Sequence, residues 1–293
     1  MSVKVSICIP TYNQTEFLKK NLESIIAQTF TDHEIIITDD STTNEVEELV
    51  KQFFKLHPVN HIYHKNNSSL GSPANWNKAI SLAKGEYIKI LHHDDWFKEK
   101  DSLEKFVNAL DHHPQSNLAF SATSILNAKD NTYSVNKPDS EYLNSLHADP
   151  LVLFNNNRIG APSATIYRAS TDIRFDERIC YLVDVDFYLQ LLSANSNATF
   201  IEEALIVNVS HLDTQVTASS INKKTQIGEY CYMYNKWFKG KFPNAKLRLF
   251  FKDLFAWYKL NSFDEIETLG YEKPEPQWIF KILFFQSKFS KHG

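Results

Sequence analysis

Three consecutive isoleucines at positions 35–37 set the tightest limit on how this chain folds. A strand with one wet face alternates apolar and polar residues. An unbroken β-branched run has both faces covered, the condition of a parallel sheet with helices on either side. The flanking sequence supplies the rest of that arrangement. Residues 3–9 form a β-branched run ending at Pro10, and over 16–28 Phe17, Leu18, Leu22, Ile25 and Ile26 fall on one helical face. Asn13 and Glu16 are spaced as a capping pair for that helix, and Thr42 and Glu45 as a capping box for a second helix carrying Val46, Leu49, Val50, Phe53 and Phe54. A strand at 61–64, a helix at 74–83 and a strand at 87–91 continue the alternation. The fold class is therefore α/β, with a mostly parallel central sheet flanked by helices.

Past residue 100 the pattern loosens. The spacing predicts a helix over 102–110, a strand over 118–124, a variable loop region over 127–149 and a helix over 184–193. Two short strands flank Glu202 and Glu203, and the chain reads as helical from 224 onward. This gives a main domain over 1–220 and a C-terminal helical extension over 221–293.

Composition removes several function classes. A net charge of −4 gives no support to non-specific nucleic-acid binding, which relies on positive surface. Three widely spaced cysteines have no metal-ligand spacing; Cys8, inside an apolar strand, reads as a buried free thiol in a reducing compartment. The first residues enter a strand without signal-peptide organisation, and no apolar run is long enough to span a bilayer, so the expectation is a cytoplasmic protein. Only seven glycines occur, the first at Gly71. A Gly-rich phosphate loop after the first strand is thereby excluded.

The chemistry-bearing residues collect where predicted strands end: Pro10-Thr11-Tyr12-Asn13, Asp39-Asp40-Ser41, and His93-Asp94-Asp95. Ligands of open α/β sheets bind at that edge, because strand ends and helix N-termini meet there. Each cluster alone reads as turn chemistry; three on one edge point to a site. Tyr12 can stack a base, Asp39 can accept from a base or ribose, and the acid pair that follows the strand at 87–91 can hold a divalent cation.

Val5-Ser-Ile-Cys-Ile-Pro-Thr-Tyr-Asn13, Ile37-Thr-Asp-Asp-Ser41 and Gly85-Glu-Tyr-Ile-Lys-Ile-Leu-His-His-Asp-Asp95 together resemble the inverting family 2 glycosyltransferases of the GT-A fold, strongly over 3–110 and more weakly to 215. The resemblance implies a nucleotide-sugar-binding half at 1–110 and an acceptor-binding half at 111–220. It also implies a nucleoside-diphosphate-sugar donor, most often a UDP-sugar. Pro10, Thr11, Tyr12, Asn13, Asp39, Asn75, His93 and Asp94 would contact that donor, and Asp95 would bind Mn²⁺ or Mg²⁺. His93 stands where the family's D-x-D motif has its first aspartate. Trp76 stands where relatives usually carry a basic residue beside the diphosphate, with Lys78 a substitute. In Val183-Asp184-Val-Asp186 the family register makes Asp184 the catalytic base, with Val183 departing from the usual glutamate; read without the family, Asp184 is a helix cap. His211, in a segment resembling the loop that closes over the diphosphate, would be a metal or phosphate ligand, or a surface histidine.

The acceptor implied is a glycan or lipid-linked oligosaccharide of surface polysaccharide, such as lipopolysaccharide O-antigen or capsule. The tail over 274–293, aromatic-rich and basic, either lies on the inner face of the cytoplasmic membrane or packs its aromatics onto the protein. Two other classes fit less well. A sugar-nucleotide pyrophosphorylase needs a Gly-rich basic loop after the first strand, which Pro10 to Asn13 does not supply. A non-catalytic nucleotide- or carbohydrate-binding module has no need of both Asp95 and Asp184.

Overall fold

A computed structural model describes residues 3–169, 173–194, 196–210, 221–238 and 241–289. The chain divides into two compact units, Met1–Glu177 with Phe187–Asp213, and Arg178–Asp186 with Thr214–Gly293.

In the first unit β1 (Val5–Thr11), α1 (Glu16–Ile26), β2 (His33–Asp39), α2 (Glu45–Leu56), β3 (His61–Lys65), α3 (Ala74–Leu82) and β4 (Tyr87–Ile90) alternate as their sequences require. Next come β5 (Trp96–Phe97), α4 (Ser102–Asp111), β6 (Leu118–Asn127), β7 (Tyr133–Asn136), α5 (Ser140–Ala148), β8 (Thr165–Arg168) and β9 (Ala198–Ser210). The sheet order is β3-β2-β1-β4-β8-β6-β9-β5, with β7 paired to β6. The first four strands are mutually parallel, and β8 reverses direction against β4. Ile35, Ile36 and Ile37 are fully buried. Ile7, Ile9, Ile35 and Ile37 share one core with Leu18, Leu22 and Ile25 of α1, Val46 and Val50 of α2 and Phe106 of α4.

Local expectations need four corrections. Neither capping pair forms: α1 and α2 start at Thr15 and Asn44 without side-chain caps. Asn13 instead adopts a positive φ of 49°, and its carboxamide oxygen accepts the Thr42 amide N–H at 3.1 Å. Asparagine tolerates this left-handed backbone better than most residues, and the bond ties the β1–α1 turn to the β2–α2 turn. The region 127–149 is not one loop, since it contains β7 and α5, the latter capped by Asp139. Finally, the two strands expected around Glu202 and Glu203 are one continuous β9. Its register against β6 slips between Ile201 and Ala204, so the two glutamates occupy a bulge and pair with Lys137 and Lys105. A bulge turns a charged pair outward without ending the strand.

The second unit holds α7 (Lys223–Phe238), α8 (Ala245–Trp257), α9 (Glu265–Thr268) and α10 (Gln277–Ser287). Its core is aromatic: Phe251 of α8 meets Tyr234 of α7 at 5.5 Å and Phe280 of α10 at 4.9 Å, each edge to face. Gly228 sits in the middle of α7, where glycine ordinarily weakens a helix. The Tyr271 ring accounts for it, because a Cβ at 228 would lie 2.0 Å from that ring. Among the described residues, no helix is long and apolar enough to cross a membrane. Helix α6 (Val183–Ala194) begins in the second unit and continues in the first.

Candidate active site

The parallel register aligns the strand ends. Thr11 of β1 lies opposite Asp39 of β2, and Cys8 opposite Ile90 of β4. The Tyr12–Asn13 turn, the Asp39–Ser41 turn and the His92–Asp95 turn therefore leave one edge of the sheet side by side. Tyr12 is half exposed there. Pro10 and Thr11 are buried, and the Thr11 hydroxyl has no hydrogen-bond partner.

Asp39 is fully buried. One of its oxygens accepts the Ser41 amide N–H at 2.8 Å and the other the Tyr63 hydroxyl at 2.6 Å, with Lys65 at 3.6 Å. Asp40 works differently. Its carboxylate gathers the following loop, accepting from Leu70 N–H, Gly71 N–H and the Asn66 amide. Asn75 is committed inside the protein: its amide donates to the Thr38 carbonyl at 3.1 Å and accepts from Asn66 at 2.9 Å. It pins the start of α3 to β2. Asn75, expected at the donor, is thus also an internal clamp.

The acid turn after β4 is held from four directions. Asn21 of α1, itself fully buried, donates to the carbonyls of His92 at 2.9 Å and Asp95 at 2.7 Å. The Ser163 hydroxyl accepts from His92 N–H at 3.0 Å. Asp95 N–H closes the turn on the His92 carbonyl, and Val209 N–H of β9 reaches the Asp95 carboxylate at 3.3 Å. Beneath it Lys89 of β4, fully enclosed, donates to the Ser163 and Ile90 carbonyls. Burial pushes that ammonium down to about 7, although the Asp95 charge pulls the other way.

His92, Asp94 and Asp95 each offer one ligand atom, all within 4.8 Å of one another. Metal–ligand bonds of about 2.0–2.2 Å span roughly 4 Å between opposed donors, so a small side-chain rotation closes the set on one cation. The His92 Nε2 supports that fit, being buried without a hydrogen-bond partner. Burial holds the imidazole neutral, the ligating form, with its value pushed well below the usual range. Burial, and then the Asp94 charge, raises the Asp95 carboxyl. Sequence reasoning assigned His92 no role, yet this is the histidine brought to the acids. The His93 imidazole, expected at the donor, lies at 3.2 Å from the Pro10 carbonyl. The alternation expected of an extended segment concealed this, because a tight turn folds residues 92 and 95 together. Trp76 packs against His92 at 4.6 Å with the rings tilted and meets Phe175 edge to face at 5.0 Å, which gives this departure from the basic residue a structural place.

Asn21 and Ser163 were missed by sequence reasoning. Asn21 had a signal, a lone amide within the apolar stripe of Leu18, Leu22 and Ile25; Ser163 had none. His211 lies outside the described residues. Asp184 stands in the first turn of α6, and one of its carboxylate oxygens is buried without a hydrogen-bond partner. Burial raises this carboxyl to about 7.

The model of the family described as Glycosyl transferase family 2 matches residues 6–174. TuaG of Bacillus subtilis (strain 168), named as a putative teichuronic acid biosynthesis glycosyltransferase, is 28% identical over 206 residues, covering 69% of this chain and 77% of that one. Among solved structures, S. aureus TarS 1-349 in complex with UDP-GlcNAc aligns with a TM-score of 0.64 at 17% identity, over 97% of this chain and 81% of that one. The mannosyltransferase PcManGT from Pyrobaculum calidifontis, in complex with GDP-Man and Mn²⁺, aligns with a TM-score of 0.60 at 14% identity, over 98% and 74%. These likenesses carry the α/β GT-A-type fold.

Proposed function

Because this chain belongs to glycosyl transferase family 2 and is a glycosyltransferase of the GT-A-type fold, we propose that it moves a sugar from a UDP-sugar to an acceptor hydroxyl with inversion at the anomeric carbon. The observation that carries the reading is the meeting of His92, Asp94 and Asp95 on the strand edge that also presents Tyr12. In this reading the exposed Tyr12 ring stacks the base. Asp39 receives a base N–H by exchanging its bond from Tyr63, while Pro10, Thr11 and Asn13 shape the floor. His92, Asp94 and Asp95 would hold a divalent cation, which supplies charge neutralisation for the departing diphosphate. A donor set that includes an imidazole favours Mn²⁺ over Mg²⁺.

Asp184 removes the proton from the acceptor hydroxyl as that oxygen attacks. A base near pH 7 suits this task, since general-base catalysis is most effective when its pKa approaches the working pH. The test is calorimetric titration of UDP, GDP and nucleoside triphosphates with and without Mn²⁺. Tight UDP binding that needs the metal supports the reading; a preference for triphosphates without metal overturns it.

For the acceptor we propose a glycan or lipid-linked oligosaccharide of a surface polymer, reached at the membrane surface. The tail aromatics divide. Phe280, Leu283 and Phe284 are buried, whereas Trp278, Ile282, Phe285 and Phe289 are 59%, 47%, 64% and 86% exposed. These last four recur with helical spacing, so one face packs and another is apolar in water. Phe242, 70% exposed, meets Trp278 at 6.2 Å and extends that face. Between 276 and 289 there are two lysines and no acid. An apolar face edged with lysine suits an anionic lipid interface. Flotation of the full chain with anionic vesicles is expected, with loss on changing Trp278 and Phe285 to serine; equal failure of both proteins to float would remove the membrane from the proposal.

A further inference from the structure

One face of α7 grips the segment that carries Asp184. Glu229, Tyr232 and Lys236 follow one another at helical spacing, with Trp237 adjacent. The Arg178 guanidinium lies 4.6 Å over the Tyr232 ring. The buried Glu229 carboxylate accepts three successive backbone N–H groups, from Cys180, Tyr181 and Leu182, each at 2.9 Å. Beyond Asp184, the fully buried Asp186 receives Lys236 Nζ at 2.7 Å and Trp237 Nε1 at 2.8 Å.

The two anchors have opposite polarity. Glu229 accepts from backbone just before the first turn of α6, and Lys236 with Trp237 donates to a side chain within it. Simple capping of a helix start calls only for the first of these. The second fixes rotation as well as position, because Asp186 cannot turn without leaving both donors. Asp184, two residues earlier on the same turn, is thereby aimed, while one of its own oxygens remains without a partner. The Tyr271 ring, packed on Gly228, seats α7 in turn from a later segment of the second unit.

We propose that Glu229, Lys236 and Trp237 are positioning residues, which set the placement and rotation of the first turn of α6 and so direct the Asp184 carboxylate at the acceptor hydroxyl. The inference rests on Asp184 being the base, as proposed above. It makes the helical extension part of the catalytic apparatus.

The test uses the full-length chain with Trp237→Phe, Lys236→Met, Lys236→Arg and Glu229→Gln, beside Asp184→Asn. Misplacement of a reacting group by about 1 Å can cost 10²-fold. Trp237→Phe and Lys236→Met are therefore expected to lower kcat by tenfold or more, with the donor KM and the UDP Kd changed less than twofold. Lys236→Arg should recover most of the loss, which a purely structural defect would not mirror. Unchanged kcat in folded Trp237→Phe and Lys236→Met proteins overturns the proposal, as does a fall in kcat matched by equal loss of UDP binding. Glu229→Gln is the most disruptive change; should it not fold, the two milder variants decide. Full transfer by Asp184→Asn sinks the base assignment itself, whatever the α7 variants do. An inactive Asp184→Asn beside fully active α7 variants sinks the positioning role alone.

Discussion

Asp95 and Asp184 are both carboxyls raised by burial, yet their surroundings are opposite. Asp95 lies in the turn between β4 and β5, fastened by Asn21, Ser163 and Val209, and two further ligand atoms lie near it. Asp184 begins a helix and keeps one buried oxygen without a partner, while the fastening falls on its neighbours Leu182 and Asp186. The difference teaches how burial can serve two ends. On the proposed reading, a carboxyl set among donors and other ligands is prepared for a cation. One left unsatisfied would be prepared to take a proton, because an unpaired buried charge is costly until it is neutralised.

The sharpest way to break this contrast is Asp184→Asn. Transfer should fall by about 10²–10⁴-fold, the usual contribution of a general base, with UDP affinity unchanged in calorimetry; parallel loss of UDP binding would erase the distinction. Asp95→Asn should do the reverse in kind, removing the Mn²⁺-dependent part of UDP affinity by at least about tenfold, given the sensitivity of metal sites to their ligands. Survival of the metal response would place the cation elsewhere.

The pH profile sharpens the comparison further. A base with its carboxyl raised to about 7 is ionised only above that value, so kcat should climb about tenfold per pH unit below 7 and level off above it. A profile flat between pH 5 and 8 would contradict the unsatisfied environment of Asp184.

The smallest effect is on stability. A folded-state value above the unfolded one means the native state holds a proton that the unfolded chain has released, so stability falls as pH rises from about 4 to about 7. Asp184→Asn lacks this penalty. Its Tm should match that of the unaltered protein at pH 4 and exceed it by several degrees at pH 8, because a carboxyl raised to about 7 carries a penalty of a few kcal/mol there. A lower Tm at pH 8 would mean that the carboxylate has partners stabilising its charge.

The parallel half of the sheet was legible because burial on both faces leaves its mark residue by residue, as in Ile35 to Ile37. The strand-edge clusters were legible too, since polar residues directly after an apolar run mark where a buried strand meets water or a ligand. Register within the acid turn was not. His92 and His93 are the same residue type, and which one faces Asp94 and Asp95 depends on a turn closed by Asn21 and Ser163, 71 residues from His92 in either direction. The Glu202–Glu203 pair broke a strand pattern for a similar reason, since a bulge shows only in the register against the partner strand. The grip of α7 on residues 178–186 was hidden altogether. Glu229, Lys236 and Trp237 look like ordinary residues of an aromatic helix until their partners are known.

Val209 N–H meets the Asp95 carboxylate across 114 positions of chain. During synthesis on a ribosome, the strand-end acids emerge long before the backbone that steadies them, and Ser163 also arrives late. A nascent polypeptide released short of β9 would thus expose two adjacent aspartates on an unsupported turn. On the proposed reading, competence to capture a cation firmly is in this way delayed until most of the first unit has been made.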